Sequence, residues 1–333
     1  MPNRNSRLFR ELTRGELAAA VRRHFGAVDF TACLMDGGLF NTTYLLSLSD
    51  GGRYVLRAGP VNRQLLLPFE LRLFLSEAAV YRLCRERGIP VPVVTVSVLP
   101  DDRADDNSLD CRGYMITEYI DSLPMTSELI SPDEKSVLRR ELGEITARFN
   151  SIEGARFGRV CDVLGASDAG GGSGFARWSD WLESEFSEVC NAIRPYEVFS
   201  ETELDCILNL PEKFRDLIDK VKAPRLVHAD LWEGNVLVTP DKKHIAAIID
   251  ADRALFGDVG FELAGGWNDS AEFYSGWGMP PSGRDYETRR LIYLALYRLT
   301  DTYVYFAEYA DLESGSRTRD KVRAAVGRLM TIQ

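Results

Sequence analysis

Residues 228–235 read HADLWEGN, a short polar turn between the apolar runs LV and VLV, with a carboxylate and an amide five residues apart. VLVT (236–239) and HIAAIID (244–250) read as two strands joined by a Pro-Asp-Lys-Lys turn, which makes them a hairpin. The polar turn ahead of the first strand and Asp250 at the end of the second then meet at one end of that hairpin. Asp230, Asn235 and Asp250 together offer two carboxylates and an amide oxygen. An oxygen cluster of this kind suits a hard divalent cation carrying phosphates. It leaves one carboxylate to take a proton from an attacking hydroxyl, as phosphoryl transfer requires. DxxxxN alone is an ordinary Asx-turn pattern. The joint pattern HxDxxxxN, strand, turn, strand, Asp carries the functional reading, because the motif sits in its expected context.

These residues need a frame. Thr13 and Glu16 have capping-box spacing and open a helix running to about Gly26. FTACLM, TTYLLSLS and RYVLRAG follow as three β-like runs separated by glycine-bearing turns, an antiparallel meander. FELRLFLSEAAVYRLCRERG is a helix stopped by Gly88 and the Pro90/Pro92 pair, and VVTVSVL and YMITEYI are further strands. Residues 1–120 therefore form a small α+β lobe. In 121–333, Ser131-Pro132-Asp133-Glu134 caps a helix with an apolar stripe at Leu138, Leu142, Ile145 and Phe149. The rest reads as helical apart from one β-type interruption at 226–250, with DAGGGSG (168–174) leading into an inserted helical segment at about 175–222.

Composition narrows the function classes. A formal charge of −10 argues against nucleic acid or an acidic membrane as partner and permits a cationic one. Six widely spaced cysteines without a CxxC pair read as reduced thiols of a cytoplasmic protein. No apolar run is long enough to span a membrane, and the charged N-terminus does not resemble a signal peptide. Three scattered histidines leave little for a histidine metal site, so an oxygen-bound ion, magnesium, is the candidate.

HADLWEGNVLV followed by IIDADRALFGDVGFELA resembles the aminoglycoside phosphotransferase and choline kinase superfamily, relatives of protein kinases. The resemblance implies a bilobal kinase-like fold, with Asp230 as catalytic base and Asn235 and Asp250 holding Mg2+. His228 becomes an orienting residue, Trp232 a packing one, and Asp258 and Glu262 structural residues of the following loop. GGLFNTTY lies where the phosphate-covering hairpin belongs, making Gly38 and Asn41 candidates for nucleotide contact. It lacks a full GxGxxG. Arg57 takes the place of the phosphate-binding lysine. At helical spacing Phe74, Glu77, Ala78 and Tyr81 share a face, and a carboxylate among apolar groups needs a counter-charge, which Arg57 supplies. YMITEYI resembles the hinge, with Thr117 as gatekeeper and the backbone of Glu118 and Ile120 holding the purine of ATP or GTP.

The acceptor is less legible. The resemblance implies a hydroxyl-bearing small molecule, and helical segments at about 175–222 and 265–333 would bind it. Asp252, Asp269, Glu272, Asp301 and Glu308 are the acidic candidates and suit a polyamine such as an aminoglycoside. The aromatics of 267–309 are mostly core by spacing and suit a nucleoside antibiotic where they are not. A choline, ethanolamine or ketosamine kinase is the metabolic alternative, and a nucleotide-binding pseudokinase a further one. No APE-like segment follows Asp250, which speaks against a protein acceptor.

Overall fold

The computed structural model describes residues 6–35, 40–105, 108–165, 172–278 and 282–332. Gly38 lies outside them, as do Gly37 and most of DAGGGSG.

Helix α1 (Arg14–Phe25) opens with the reciprocal capping box between Thr13 and Glu16. Strands β1 (Phe30–Leu34), β2 (Thr42–Leu48) and β3 (Arg53–Ala58) form an antiparallel meander, and α2 (Leu73–Glu86) follows. Strands β4 (Val94–Val98) and β5 (Tyr114–Glu118) complete a five-stranded sheet in the order β1-β2-β3-β5-β4. The two-residue alternation of side chains divides its faces. Leu46, Leu56 and Ile116 join Leu17, Ala20 and Val21 of α1 in one apolar cluster. Arg57, paired in register with Thr43 and Met115, belongs to the opposite face. Ahead of α2 the chain makes a 3-10 turn at Pro68–Arg72 rather than the α-helix that continuous periodicity suggested. Pro68 starts it, and the Glu70 carboxylate accepts from the Leu67 amide at 2.8 Å.

Strand β6 (Leu123–Pro124) leads out of the sheet lobe and pairs with β9, which ties the connector to the second lobe. Helices α3 (Pro132–Asn150), α4 (Trp178–Ile193) and α5 (Glu201–Leu208) follow, with β7 (Gly158–Arg159) between the first two. Then come β8 (Arg225–Val227), β9 (Val236–Val238), β10 (Ile245–Ile248) and β11 (Leu255–Gly257). Helices α6 (Ala271–Trp277), α7 (Arg284–Tyr303) and α8 (Leu312–Met330) close the chain. The hairpin of β9 and β10 is present, and beside it a second small sheet, β7-β11-β8, extends the expected single β-interruption in both directions. Strands of two or three residues carry no readable period, which is why they escape sequence reasoning.

The lobes are not joined by a loose hinge. Phe74, Val80, Tyr81 and Cys84 of α2 share a core with Leu138, Leu142, Phe149 and Ile248 of the helical lobe. Leu67, Phe69 and Leu73 likewise lie with Trp178, Trp181 and Phe261. Each such side chain contributes about 1.5–3 kcal/mol on burial, enough together to hold a buried charge on α2. Glu77 is that charge.

Candidate active site

The turn at 228–235 is set by the residues that precede Asp230. His228 is buried and bonds in three directions. Its backbone N–H donates to Glu262 Oε2 at 2.8 Å, its Nε2 pairs with the Ile249 carbonyl at 3.0 Å, and its Nδ1 accepts from the Asp230 N–H at 3.3 Å. A ring with Nδ1 accepting carries its proton on Nε2 and is neutral, and burial lowers its pKa to about 4. His228 thereby couples the turn bearing Asp230 to the strand end bearing Asp250. Ala229 sits in the left-handed region at φ 66°, its carbonyl accepting from the Tyr297 hydroxyl. A non-glycine residue there costs about 1–3 kcal/mol and persists because its surroundings enforce it. The result is to aim Asp230 out of the turn.

Asn235 closes the turn from the other end, its Nδ2 donating to the Asp230 carbonyl at 2.8 Å and to Asp230 Oδ2 at 3.3 Å. With the nitrogen so engaged, the amide oxygen is the atom available to a cation. Burial pushes the Asp230 carboxyl up to about 7, Arg253 opposing the rise and Asp250 and Asp301 adding to it. A base poised near neutrality is what proton acceptance from an alcohol requires.

Asp250 is also left-handed, at φ 56°, and its N–H donates to the Tyr81 hydroxyl at 3.1 Å. That hydroxyl donates in turn to Glu77 Oε1 at 2.5 Å. Arg57 completes the ring of contacts. Its Nη1 lies 2.6 and 2.7 Å from the two Glu77 oxygens, its Nη2 2.6 Å from Asp250 Oδ1 and 3.8 Å from Asp252 Oδ2. Glu77 is 0% exposed, and burial pushes its carboxyl upward against the pull of Arg57. Burial, with Glu77 and Asp250 adding to it, also holds the Asp252 carboxyl well above the ordinary range. Three carboxyl groups thus share one guanidinium, and the rise at Asp252 relieves their mutual repulsion.

Among the described residues no three His, Cys, Asp or Glu side chains are arranged to hold a metal by themselves. Asn235 and Asp250 fit magnesium in a different way, as an ion bound through one or two protein oxygens plus substrate phosphates. At the connector, the Glu118 N–H donates to Val93 O and the Tyr119 N–H to Arg53 O, both at 3.0 Å. The Ile120 N–H has no acceptor among the described residues, and Thr117 is buried in β5 on the sheet face that bears Arg57.

This geometry agrees with what comparison finds. The model of the phosphotransferase enzyme family, APH, matches residues 31–302. The chain belongs to that family. It is a small-molecule phosphotransferase with the kinase-like fold of its APH relatives. A thermostable mutant of aminoglycoside phosphotransferase APH(4)-Ia in apo form superposes with a TM-score of 0.66 at 17% identity, covering 96% of this chain and 100% of that one. A ternary complex of such a mutant with AMP-PNP and hygromycin B gives 0.62 at 18% identity, covering 95% and 99%. A macrolide 2'-phosphotransferase type I gives 0.54 at 18%, covering 98% and 100%. No curated protein matches the sequence.

The remaining candidates are spread out. Asn41 is buried at the start of β2, lining a cavity with Gly59, Phe74 and Arg112. Asp252 faces the Arg57 cluster. Asp301 is half-exposed on α7, bonded to Arg298 at 2.9 Å. Asp269 is tied to Arg290 at 3.0 Å and to the Tyr274 hydroxyl at 2.8 Å, and Glu272 lies on the short helix α6. Glu308 is wholly buried, in a π-helical turn. Its carboxyl lies against that of Glu70, which is buried as well. Burial, with Glu70 adjacent, pushes its pKa to about 10, so it is a neutral acid at physiological pH.

Sequence reasoning placed Tyr81 on the right face but assigned it no role, although its i+4 spacing from Glu77 was the available signal. It missed Arg253, which lies 3.5 Å from the buried Glu70 of the sheet lobe. Nothing local connects two residues so far apart in the chain.

Proposed function

We propose that this phosphotransferase moves the γ-phosphoryl group of ATP, or of GTP, to a hydroxyl of a small antibiotic, with an aminoglycoside as first choice. The reading rests on one observation: Asp230, Asn235 and Asp250 are linked through His228 and Ile249, and Asp250 in turn pairs with Arg57. Asp230 takes the acceptor's proton, since its neighbours are better used on metal. Asn235 and Asp250 would hold Mg2+, which when bound neutralises phosphate charge. Arg57, kept in place by Glu77, is the cation facing the phosphates, and its planar fork can give up one nitrogen without releasing the other. Glu118 and Ile120 offer backbone groups to the purine beneath Thr117.

The complex of the APH(4)-Ia mutant with AMP-PNP and hygromycin B supports a nucleotide and a hydroxylated aminoglycoside as the pair of ligands. The formal net charge of −10 is compatible with a cationic acceptor.

The test is a phosphorylation screen with γ-labelled ATP and magnesium over aminoglycosides, macrolides, nucleoside antibiotics, choline and ketosamines, beside calorimetric titration of ATP. Labelled antibiotic is the expected product. Labelling of choline or a ketosamine alone would overturn the antibiotic assignment and keep the kinase one. ATP binding with no transfer to any compound would make the protein a binder, and near-native turnover in Asp250→Ala would remove the assignment of the site.

A further inference from the structure

Two tryptophans are exposed among the described residues, Trp232 and Trp267, while Trp178 and Trp181 are core. A lone exposed apolar side chain needs no explanation. Both rings lie over a glycine of their own turn, Trp232 over Gly234 and Trp267 over Gly265, but among the described residues only Trp267 of the two also meets another aromatic ring. Gly265 has no Cβ, and a Cβ there would come within 2.4 Å of the indole, so the ring lies directly over the backbone. Gly266, at φ 78°, adopts the left-handed conformation that closes the turn. The edge of the indole meets the Tyr297 ring at 5.9 Å and 86°, the preferred perpendicular arrangement. The indole is therefore held in one orientation and is still 41% exposed.

Its anchors lead to the base. Tyr297, which fixes the indole edge, donates its hydroxyl to the carbonyl of Ala229. Asn268, the next residue in the turn and itself buried, donates its Nδ2 to the carbonyl of Leu231 at 2.6 Å. Ala229 and Leu231 are the residues immediately before and after Asp230. Asn268 of this turn and Tyr297 of α7 thus hold the residues on either side of Asp230. Asp301, one helical turn beyond Tyr297 on α7, puts a half-exposed carboxylate on the same helix face.

We propose that Trp267 is a platform on which a ring of the acceptor stacks while a hydroxyl of that ring system reaches Asp230. Such a ligand presents an apolar C–H face to the indole and polar groups at its rim, as a glycoside or an aminocyclitol does, whereas a choline-type cation would meet the ring by cation–π attraction and not by stacking. Trp267 acts on acceptor selection, because its contacts run to the acceptor side of the turn and not to Arg57, Glu77 or the 117–120 connector. This deepens the function proposed above and rests on it.

The experiment compares wild type, Trp267→Phe and Trp267→Ala, with hygromycin B, a macrolide and choline as probes. Steady-state kinetics give KM and kcat for acceptor and for ATP, and tryptophan fluorescence is followed as each probe is added with ADP present. For a ring-bearing acceptor, Trp267→Ala should raise acceptor KM on the order of tenfold and leave ATP KM unchanged. Trp267→Phe should recover part of the loss. The probe-induced change in fluorescence should be present in wild type and missing in Trp267→Phe, a comparison that stands if the alanine variant fails to fold. Unchanged acceptor KM in Trp267→Ala overturns the proposal. So does choline as sole acceptor, or the absence of any wild-type fluorescence response to the ring-bearing probes. Failure of the kinase reading looks different: no probe is phosphorylated by wild type.

Discussion

Arg57 and Asp250 are joined at 2.6 Å through Nη2, while Nη1 of the same guanidinium holds both oxygens of Glu77. One planar group thereby spans helix α2 and the loop proposed to carry metal. A lysine ammonium is a single point and cannot hold both partners in this way. Arg57→Met should cost about 3–5 kcal/mol, because it strands a fully buried Glu77. Arg57→Lys should cost less stability and still weaken nucleotide binding. Urea midpoints for the two variants measure the first effect and calorimetry with ATP the second. A methionine variant as stable as wild type would show that the pair does not support the lobe interface.

Asp230→Asn keeps the side chain's shape and removes its capacity to take a proton. Turnover should fall by about 10²–10⁴. ATP affinity should hold, since the proposed role of Asp230 is toward the acceptor and not the nucleotide. Paired turnover and nucleotide titration on this variant decide the point. Lost ATP binding with intact chemistry per bound nucleotide would reassign Asp230 to metal or structure.

The same carboxyl sets a pH limit. With its pKa near 7, Asp230 is increasingly protonated below neutrality, so kcat/KM for the acceptor should decline on the acid side of about pH 7. The stability effect has the opposite sense. A carboxyl raised on folding binds its proton more tightly in the native state, so its contribution is present below the unfolded value and is lost as pH rises towards 7. Asp230→Asn should therefore be more stable than wild type above neutrality while nearly inactive. Thermal melts on both proteins across this range would show it, and coincident melts at every pH would refute it.

Glu308 extends the argument to alkaline pH. Its pKa of about 10 makes it neutral in the folded protein, and the stability tied to that proton declines as pH rises above the unfolded carboxyl range and is exhausted at about 10. Glu308→Gln should match wild type in stability at acidic pH and exceed it increasingly from neutral to alkaline pH. A glutamine variant strongly destabilised at neutrality would mean that Glu308 is ionised in the native protein.

Asp258 holds the loop after the proposed metal aspartate. It accepts from Arg289 Nε at 2.9 Å, from the Tyr293 hydroxyl at 2.8 Å and, through Oδ1, from the Gly260 N–H at 3.0 Å. Asp258→Ala leaves a largely buried arginine without its carboxylate and the buried Tyr293 hydroxyl, which still accepts from Trp178 Nε1, without an acceptor, and should cost about 3–5 kcal/mol. Denaturant unfolding measures this cost. A loss comparable to that of a surface mutation would contradict the role.

Much of the site was legible because the contacts that build it are short in sequence or periodic. Asp230 and Asn235 meet within one turn, Asp250 returns to them through one hairpin, and the α2 period turns Glu77 inward. The helix caps at Thr13 and Ser131 follow from side chain to backbone bonds spanning three residues. Such contacts depend on local geometry alone, which residue types and spacing determine.

Other features were decided only by packing. Asp252 turned toward Arg57, and Glu308 became a buried neutral acid. Asp269 was drawn into a contact with Arg290. Tyr81 became the bridge between Glu77 and Asp250 only when α2 docked against the turn at Ala251–Arg253. Trp267, Tyr297 and Asn268 converge on the neighbours of Asp230 across the helical lobe. An acidic or aromatic residue in a sequence carries no mark of its burial or of its partner. Those are set by which faces meet at long range, and burial then decides whether a carboxylate is charged, paired or silent.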